Sequence, residues 1–532
     1  MLIWLVFLPL FGGLFSWVFE TVICRSFTRE KECKIDDHTM LSRIKTELDC
    51  FGANWVALIT MLITLGLIIC LSIEAMTAFY AHQSWQKTIA FEWIPLLGIE
   101  FKLMLDGFSL ILIALSSIIT IIAILYSRKE SQSHSGLFYF CILFMTSAII
   151  MLYATVNLFL FFFLWEAISI PIYFLITLWG RRDSNAQLRI NGASKFLIFT
   201  QVSGLLMLLS IVCLALANWQ ITNQWTFDYF VLMKTPISSL LEFLLMLGFL
   251  AAFIVRVPLV PFHSWFIDAH IESSTTGSIM ISGLVVNTAI YGFLRFIIPL
   301  FPNASITMMP IMTFIAIISL FYVTLLCFNQ NDIKRLIAYA HIALINFTVV
   351  IIYSNSPMAY QGIILQVIAV SLVIVGLFII SGLLVERYFT RKISQFIGLK
   401  SHVKYLSTVT FFFLLAILGV PGTANFVGNF MMLFGSYQSA IYITTLLIIG
   451  LSLLSISMIM RLQPIFYGTV EAPLLTKKPI SLKDLSLLIF ILVILFSIGL
   501  YPQWVLDMAQ PTIENIQQIL SSAQTDLIKG DV

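Results

Sequence analysis

Runs of about twenty apolar residues, the length a helix needs to cross a bilayer, follow one another through this chain, and nothing else restricts its fold so tightly. The stretch 360–384, YQGIILQVIAVSLVIVGLFIISGLL, is one of them. Inside lipid every backbone N–H and C=O must find a partner within the protein, which leaves helices or a closed barrel. These runs are continuous rather than alternating, so they predict an all-α polytopic membrane protein. Cutting at polar clusters gives about fourteen transmembrane helices. Composition agrees: 60% of the 532 residues are hydrophobic and 10% charged, against about 25% charged in soluble domains. The first run, MLIWLVFLPLFGGLFSWVFE, has no basic flank and no A-x-A site, and reads as a retained span.

Basic residues orient the spans. The loop after the first holds Arg25, Arg29, Lys31, Lys34, Arg43 and Lys45, and the loop after the fifth holds Arg181, Arg182, Arg189 and Lys195. Loops after even-numbered spans hold only Lys87, Lys102 and Lys234. The positive-inside rule then puts both termini on the outer, periplasmic face of a bacterial inner membrane. The chain divides into three N-terminal helices over 1–126, with a charged loop at 24–52, then five-helix units at 137–298 and 303–461, and a final helix with a C-terminal tail at 484–532.

Two spans are interrupted. The seventh, 239–257, runs into IVRVPLVPFHSW, with Pro258 and Pro261; the twelfth, 405–434, contains GVPGTANFVGN, with Pro421 and Gly422. Proline removes a ladder donor and breaks the helix. Such breaks are tolerated at membrane depth only where protein or a cavity receives the freed carbonyls. Each is the fourth helix of its unit, and an odd number of helices per unit gives the two units opposite topology. That is the pattern of two inverted five-helix repeats, helices 4–8 and 9–13, in a transporter core.

Few ionisable residues fall inside the spans. Glu166 lies mid-run in LFLFFFLWEAISIPIYFLITLWG, and Arg256 just precedes the Pro258–Pro261 break. A charge at the bilayer centre costs at least about 2.5–3.5 kcal/mol, so each is the other's expected partner, either as a fixed pair or as a carboxylate whose proton affinity changes as its partner moves. Asp106 and Arg295 lie nearer span ends, where long side chains snorkel. Asp332, Lys334 and Arg335 read as an interfacial anchor. His263 and His270, seven apart, share a helical face, where they line a polar vestibule or bond the carbonyls of the break; no third ligand is in range for a metal. His341 fits a proton relay or an interhelical hydrogen bond. None of the seven cysteines forms a C-x-x-C pair, so iron–sulfur or zinc ligation has no support. Phosphate loops, dinucleotide fingerprints and nucleophile elbows are missing. The expectation is no catalytic residue, no cofactor and no metal in this chain. A net charge of +3, with no basic cluster among stacking aromatics, argues against nucleic acid.

Several stretches are familiar. LFLFFFLWEAISIPIYFLITLWG, PLVPFHSWFIDAH, AIYGFLRFIIPLFPNAS, NDIKRLIAY and GVPGTANFVGNFMMLFGSY resemble the antiporter-like subunit M family of bacterial respiratory complex I, whose mitochondrial counterpart is subunit 4. The match runs from the first span to about Gln503, with the 24–52 loop as an insertion. The resemblance implies a non-redox membrane-arm subunit of a proton-translocating NADH:quinone oxidoreductase, with other membrane-arm subunits and the lipid bilayer as partners and protons as the transported ion. It also implies a proton path. The helix 5 glutamate of the family is Glu166 here. The helix 7 lysine is Arg256 and the central helix 8 lysine is Asn287. The helix 10 and 11 histidines are Leu344 and Val370, and the helix 12 carboxylate or lysine is Asn429.

A buried lysine can release and retake a proton; an asparagine has none to give. The expectation is an impaired or rewired path, with His341, His263 and His270 as substitutes and polar routes through Gln201, Gln361, Gln366 or Asn346. The alternatives are a subunit of a related cation/proton antiporter or of an ion-coupled inorganic-carbon uptake complex, or a structural, non-conducting spacer.

Overall fold

The computed structural model describes residues 1–24, 38–79, 85–130, 134–181, 185–354, 356–396, 398–401, 403–468 and 480–530. Residues 25–37, half of the charged loop, lie outside them. The other half is not loop: α2 begins at His38 and runs to Phe79. The helices that carry the argument are α1 (Leu2–Val18), α3 (Gly107–Tyr126), α4 (Ser135–Ala154), α5 (Leu158–Thr177), α6 (Ala186–Thr222), α7 (Ser239–Arg256), α8 (Ser264–Glu272), α9 (Thr275–Leu300), α10 (Pro302–Phe328), α11 (Ile333–Ile352), α12 (Pro357–Tyr388), α13 (Lys404–Ile417), α14 (Ala424–Ser439), α15 (Ile441–Tyr467) and α16 (Leu482–Leu500).

Thirteen helices among the described residues are long and apolar enough to cross a membrane. The sequence predicts about fourteen because the twelfth expected span is two pieces, α13 and α14, each too short to cross alone. Gly419 (φ +70°) and Gly422 (φ +98°) turn the chain between them, in a backbone region that glycine enters without steric penalty. The seventh breaks as expected, α7 ending at Arg256 and α8 starting at Ser264.

The core sits on α9 and α12, whose apolar windows are wholly buried, whereas those of α1 and α15 are 33% buried. Small residues let α12 come close to its neighbours, as is usual between membrane helices. At Gly362 an added Cβ would lie 2.8 Å from the Met432 amide nitrogen of α14. In α9 two wider π turns, Ile281–Val285 and Phe293–Ile297, flank Asn287.

Two elements escape a reading by apolar runs. An antiparallel hairpin, β1 (Trp85–Ile94) and β2 (Ile99–Asp106), leads into α3. Beyond α16, where the sequence suggests a tail, α17 (Gln503–Gly530) folds back over α2, α3, α10 and α12.

Candidate functional site

α5 starts at Asn157, whose side-chain oxygen accepts the Leu160 N–H at 3.1 Å, and packs along α6. Glu166 lies half-buried near the outward stripe of α5 formed by Phe163, Ile170 and Phe174, all exposed. Its Oε2 accepts from Gln201 Nε2 of α6. Gly204, one turn further along α6, makes the room: a Cβ there would stand 1.6 Å from Glu166 Oε1. That oxygen is buried and has no hydrogen-bond partner among the described residues.

The expected Glu166–Arg256 ion pair does not form. Arg256 is 1% exposed, and its guanidinium lies over the Trp165 ring, Cζ 3.5 Å from the centroid. Its Nη2 donates to the Trp165 carbonyl at 3.0 Å. The reason is helical geometry: successive residues do not share a face. Trp165 turns toward α7 and takes the cation by a cation–π contact, while Glu166 turns toward α6. Arg256 still bears on Glu166 through the low-dielectric interior, but as a neighbour.

The pair that does form deep in the fold is Arg295–Asp106, not placed together by the sequence. The two side chains are 6% and 2% exposed, so neither snorkels. Asp106 caps α3, accepting from the Ser109 N–H at 2.9 Å and the Ser109 hydroxyl at 2.5 Å. Thr512 of α17 donates to its second oxygen at 2.7 Å. Apolar-run boundaries put both charges near span ends; α17 and the hairpin cover those ends.

At the helix 7 break Pro258 and Pro261 sit between α7 and α8 as expected. Trp265 serves one of the freed carbonyls, its Nε1 donating to Val255 O at 2.9 Å. The Val260 N–H donates to Ser319 Oγ of α10 at 3.1 Å. His263 meets Tyr322 edge-on at 5.7 Å. His270 is fully buried, its Nε2 3.2 Å from Ser282 Oγ. His341, also buried, faces Phe266, as His270 does. Lys334 is not an interfacial anchor: it is 3% exposed, its Nζ donating to Ser273 O at 2.9 Å. Asp332 instead caps α11 through the Lys334 and Arg335 N–H groups.

Asn287 Nδ2 donates to Gly283 O at 2.7 Å and to Ser371 Oγ at 2.8 Å, tying α9 to α12. Leu344 and Val370 are buried apolar contacts, 0% and 4% exposed. At the break between α13 and α14 the polar groups are amides. Asn425 and Asn429 lie one turn apart on α14, and an added Cβ at the intervening Gly428 would stand 2.8 Å from Gln366 Oε1 of α12. The oxygens of all three amides are buried without a hydrogen-bond partner among the described residues. Pro421 and Gly422 belong to the turn before them. Asn346 Nδ2 reaches Ser319 Oγ at 2.5 Å.

A helical membrane core with two broken spans, a carboxylate held within a span and polar side chains at both breaks has the build of an antiporter-like transport subunit. The chain belongs to the NADH:quinone oxidoreductase/Mrp antiporter transmembrane family, whose model matches residues 155–455. It is 39% identical over 523 residues to NADH-quinone oxidoreductase subunit M of Escherichia coli K12, with 97% of each chain covered. To the subunit M of Pseudomonas aeruginosa it is 38% identical, over 98% of this chain and 99% of that one. Among solved structures it matches a chain of respiratory complex I from Thermus thermophilus with bound NADH. That match has a TM-score of 0.81 at 22% identity, over 98% of this chain and 100% of that one. A chain of the Mrp complex from Dietzia sp. shares the fold at a TM-score of 0.74 and 16% identity, covering 97% and 99% of the two chains.

Proposed function

We propose that this chain is an antiporter-like membrane-arm subunit of a proton-translocating NADH:quinone oxidoreductase, with a rewired proton path. One observation carries the second half of that reading: Asn287, at the family's central lysine position, spends its amide on Gly283 and Ser371. An amide so held can orient water but cannot load a proton. The helix 5 side of the path keeps its carboxylate. Glu166 is half-buried near an outward stripe of α5, and a carboxylate at that depth is expensive against lipid. A neighbouring membrane subunit covering this face supplies the polar contact it needs. Both termini face the periplasm, because the basic loops follow odd-numbered spans.

The test is to tag the chain and isolate it from mild detergent. NADH:quinone oxidoreductase activity and iron–sulfur partners should co-purify, and deletion of its gene should lower NADH-driven proton uptake in inverted vesicles. Isolation with cation/proton antiporter subunits and no NADH oxidation would move the chain to the other branch of its family.

A further inference from the structure

A cavity of about 230 Å³, apolar over much of its wall but lined with charged side chains, opens at the ends of α3, α5, α9 and α12, on the side that carries the Arg- and Lys-rich loops. Arg181, Lys334 and Arg391 line it together with Glu130 and Glu386. The carboxylate of Glu130 already takes the Thr275 and Thr276 N–H groups, each at 2.9 Å. The first turn of α9 is therefore closed. Arg391 Nη1 donates to Ile271 O at 2.7 Å, and Lys334 is the lining group that lies on α11, the helix of His341.

Lys334 Nζ donates to the carbonyl of Ser273, which follows α8 one helical turn beyond His270. An ammonium has three donors, so this bond leaves two for the cavity. His341 lies seven residues after Lys334 on α11, two turns up the same face. The Phe266 ring touches both imidazoles, its centroid 4.3 Å from that of His270 and 5.6 Å from that of His341. His270 stacks on Phe378 of α12 at 4.8 Å and meets Ser282 of α9. The Nδ1 atoms of both histidines are buried and have no hydrogen-bond partner among the described residues. Three titratable side chains thus lead from the cavity into the buried core of the fold.

We propose that Lys334, His270 and His341 are a proton-loading column, filled through this cavity, that stands in for the titratable groups missing at Asn287, Leu344 and Val370. The idea rests on the reading of the chain as a proton-handling subunit. Lys334 gives one proton, through bridging water, to an imidazole nitrogen of His270 and becomes a neutral amine. Water in the cavity returns a proton to the amine, and the imidazolium passes its own across to His341.

The experiment uses the assembled complex in inverted membrane vesicles, reading protons translocated per electron alongside the oxidoreductase rate and the amount of complex. Lys334→Arg keeps the cation that holds Ser273 but cannot release a proton. Lys334→Arg and His341→Leu should assemble to the parent level and lose translocated protons per electron. An unchanged ratio in Lys334→Arg overturns the column. Glu166→Gln separates the two failures. If it lowers the ratio while Lys334→Arg does not, the functional reading stands and the column falls; if neither lowers it, the functional reading falls as well. As a second measurement, Lys334→Cys should be modified by a membrane-impermeant thiol reagent added from the basic-loop face, beyond any reaction of the parent. Protection from it contradicts a water-filled cavity.

Discussion

Removing the guanidinium of Arg295 gives the sharpest test of how this fold handles buried charge. In Arg295→Met the Asp106 carboxylate keeps the Ser109 and Thr512 hydrogen bonds but loses its countercharge. Breaking one side of a buried pair costs about 3–5 kcal/mol. Protonation sets a ceiling. Neutralising a carboxylate of ordinary pKa near 3.9 at pH 7 costs about 1.4 kcal/mol for each of some three units, so about 4 kcal/mol in all. At pH 5.5 the same ceiling falls to about 2 kcal/mol. The native variant then binds a proton that the unfolded chain does not, so its stability falls as pH rises. Against a typical margin of about 5–15 kcal/mol this is a large loss. Asp106→Asn/Arg295→Met should recover most of it, because uncharged replacements of a buried pair are often neutral and asparagine caps a helix as well as aspartate. The assay is thermal unfolding of the detergent-solubilised protein at pH 5.5 and pH 8, followed by size exclusion of a fluorescent fusion. Additive losses in the double variant, or an Arg295→Met loss independent of pH, would refute the reasoning.

Other perturbations give distinct outcomes. Gly204→Ala displaces the Glu166 carboxylate from Gln201, so it should cost no more than the about 1–3 kcal/mol of that contact, offset in part by the gain in helix propensity. It should nonetheless lower proton translocation per electron, because Glu166 must leave its seat. Gln201→Leu removes the partner of Glu166 Oε2 and should cost about 1–3 kcal/mol, read as reduced thermal stability of the solubilised chain. Arg256→Ala should lower the yield of assembled complex by stripping the cation from Trp165, and Arg256→Lys should rescue it only in part, since lysine lacks the planar fork. Asn287→Lys with Asn429→Glu should not by itself establish pumping, because Leu344 and Val370 still offer no titratable group; proton flux in proteoliposomes matching that of an intact homologue contradicts this.

What could be read from residues alone follows from the solvent. Lipid enforces continuous helices, so the spans and both breaks were legible in apolar runs and prolines. Position along the helix was legible too: Glu166 lies within α5 and Arg256 at the end of α7. Azimuth was not. Apolar runs do not say which way a side chain points, and Trp165, one residue along, took the cation expected for Glu166. Asp106 and Arg295 looked peripheral because the helix covering them is amphipathic and distant in sequence. The hairpin had a signal, the alternation of IEFKLML in β2, which apolar windows average away. Lys334 resembled an anchor because its charged neighbours Asp332 and Arg335 masked its inward direction.

The return of α17 across α2, α3, α10 and α12 has a consequence for biogenesis. A ribosome makes this helix after every span has been delivered to the membrane, so Asp106 waits through most of translation, and Arg295 through a large part of it, before Thr512 arrives to close over them. A nonsense codon just after Tyr501 would therefore release a chain with all its crossings in place and its innermost charges uncovered, and such a chain should turn over faster in the cell than the full-length one.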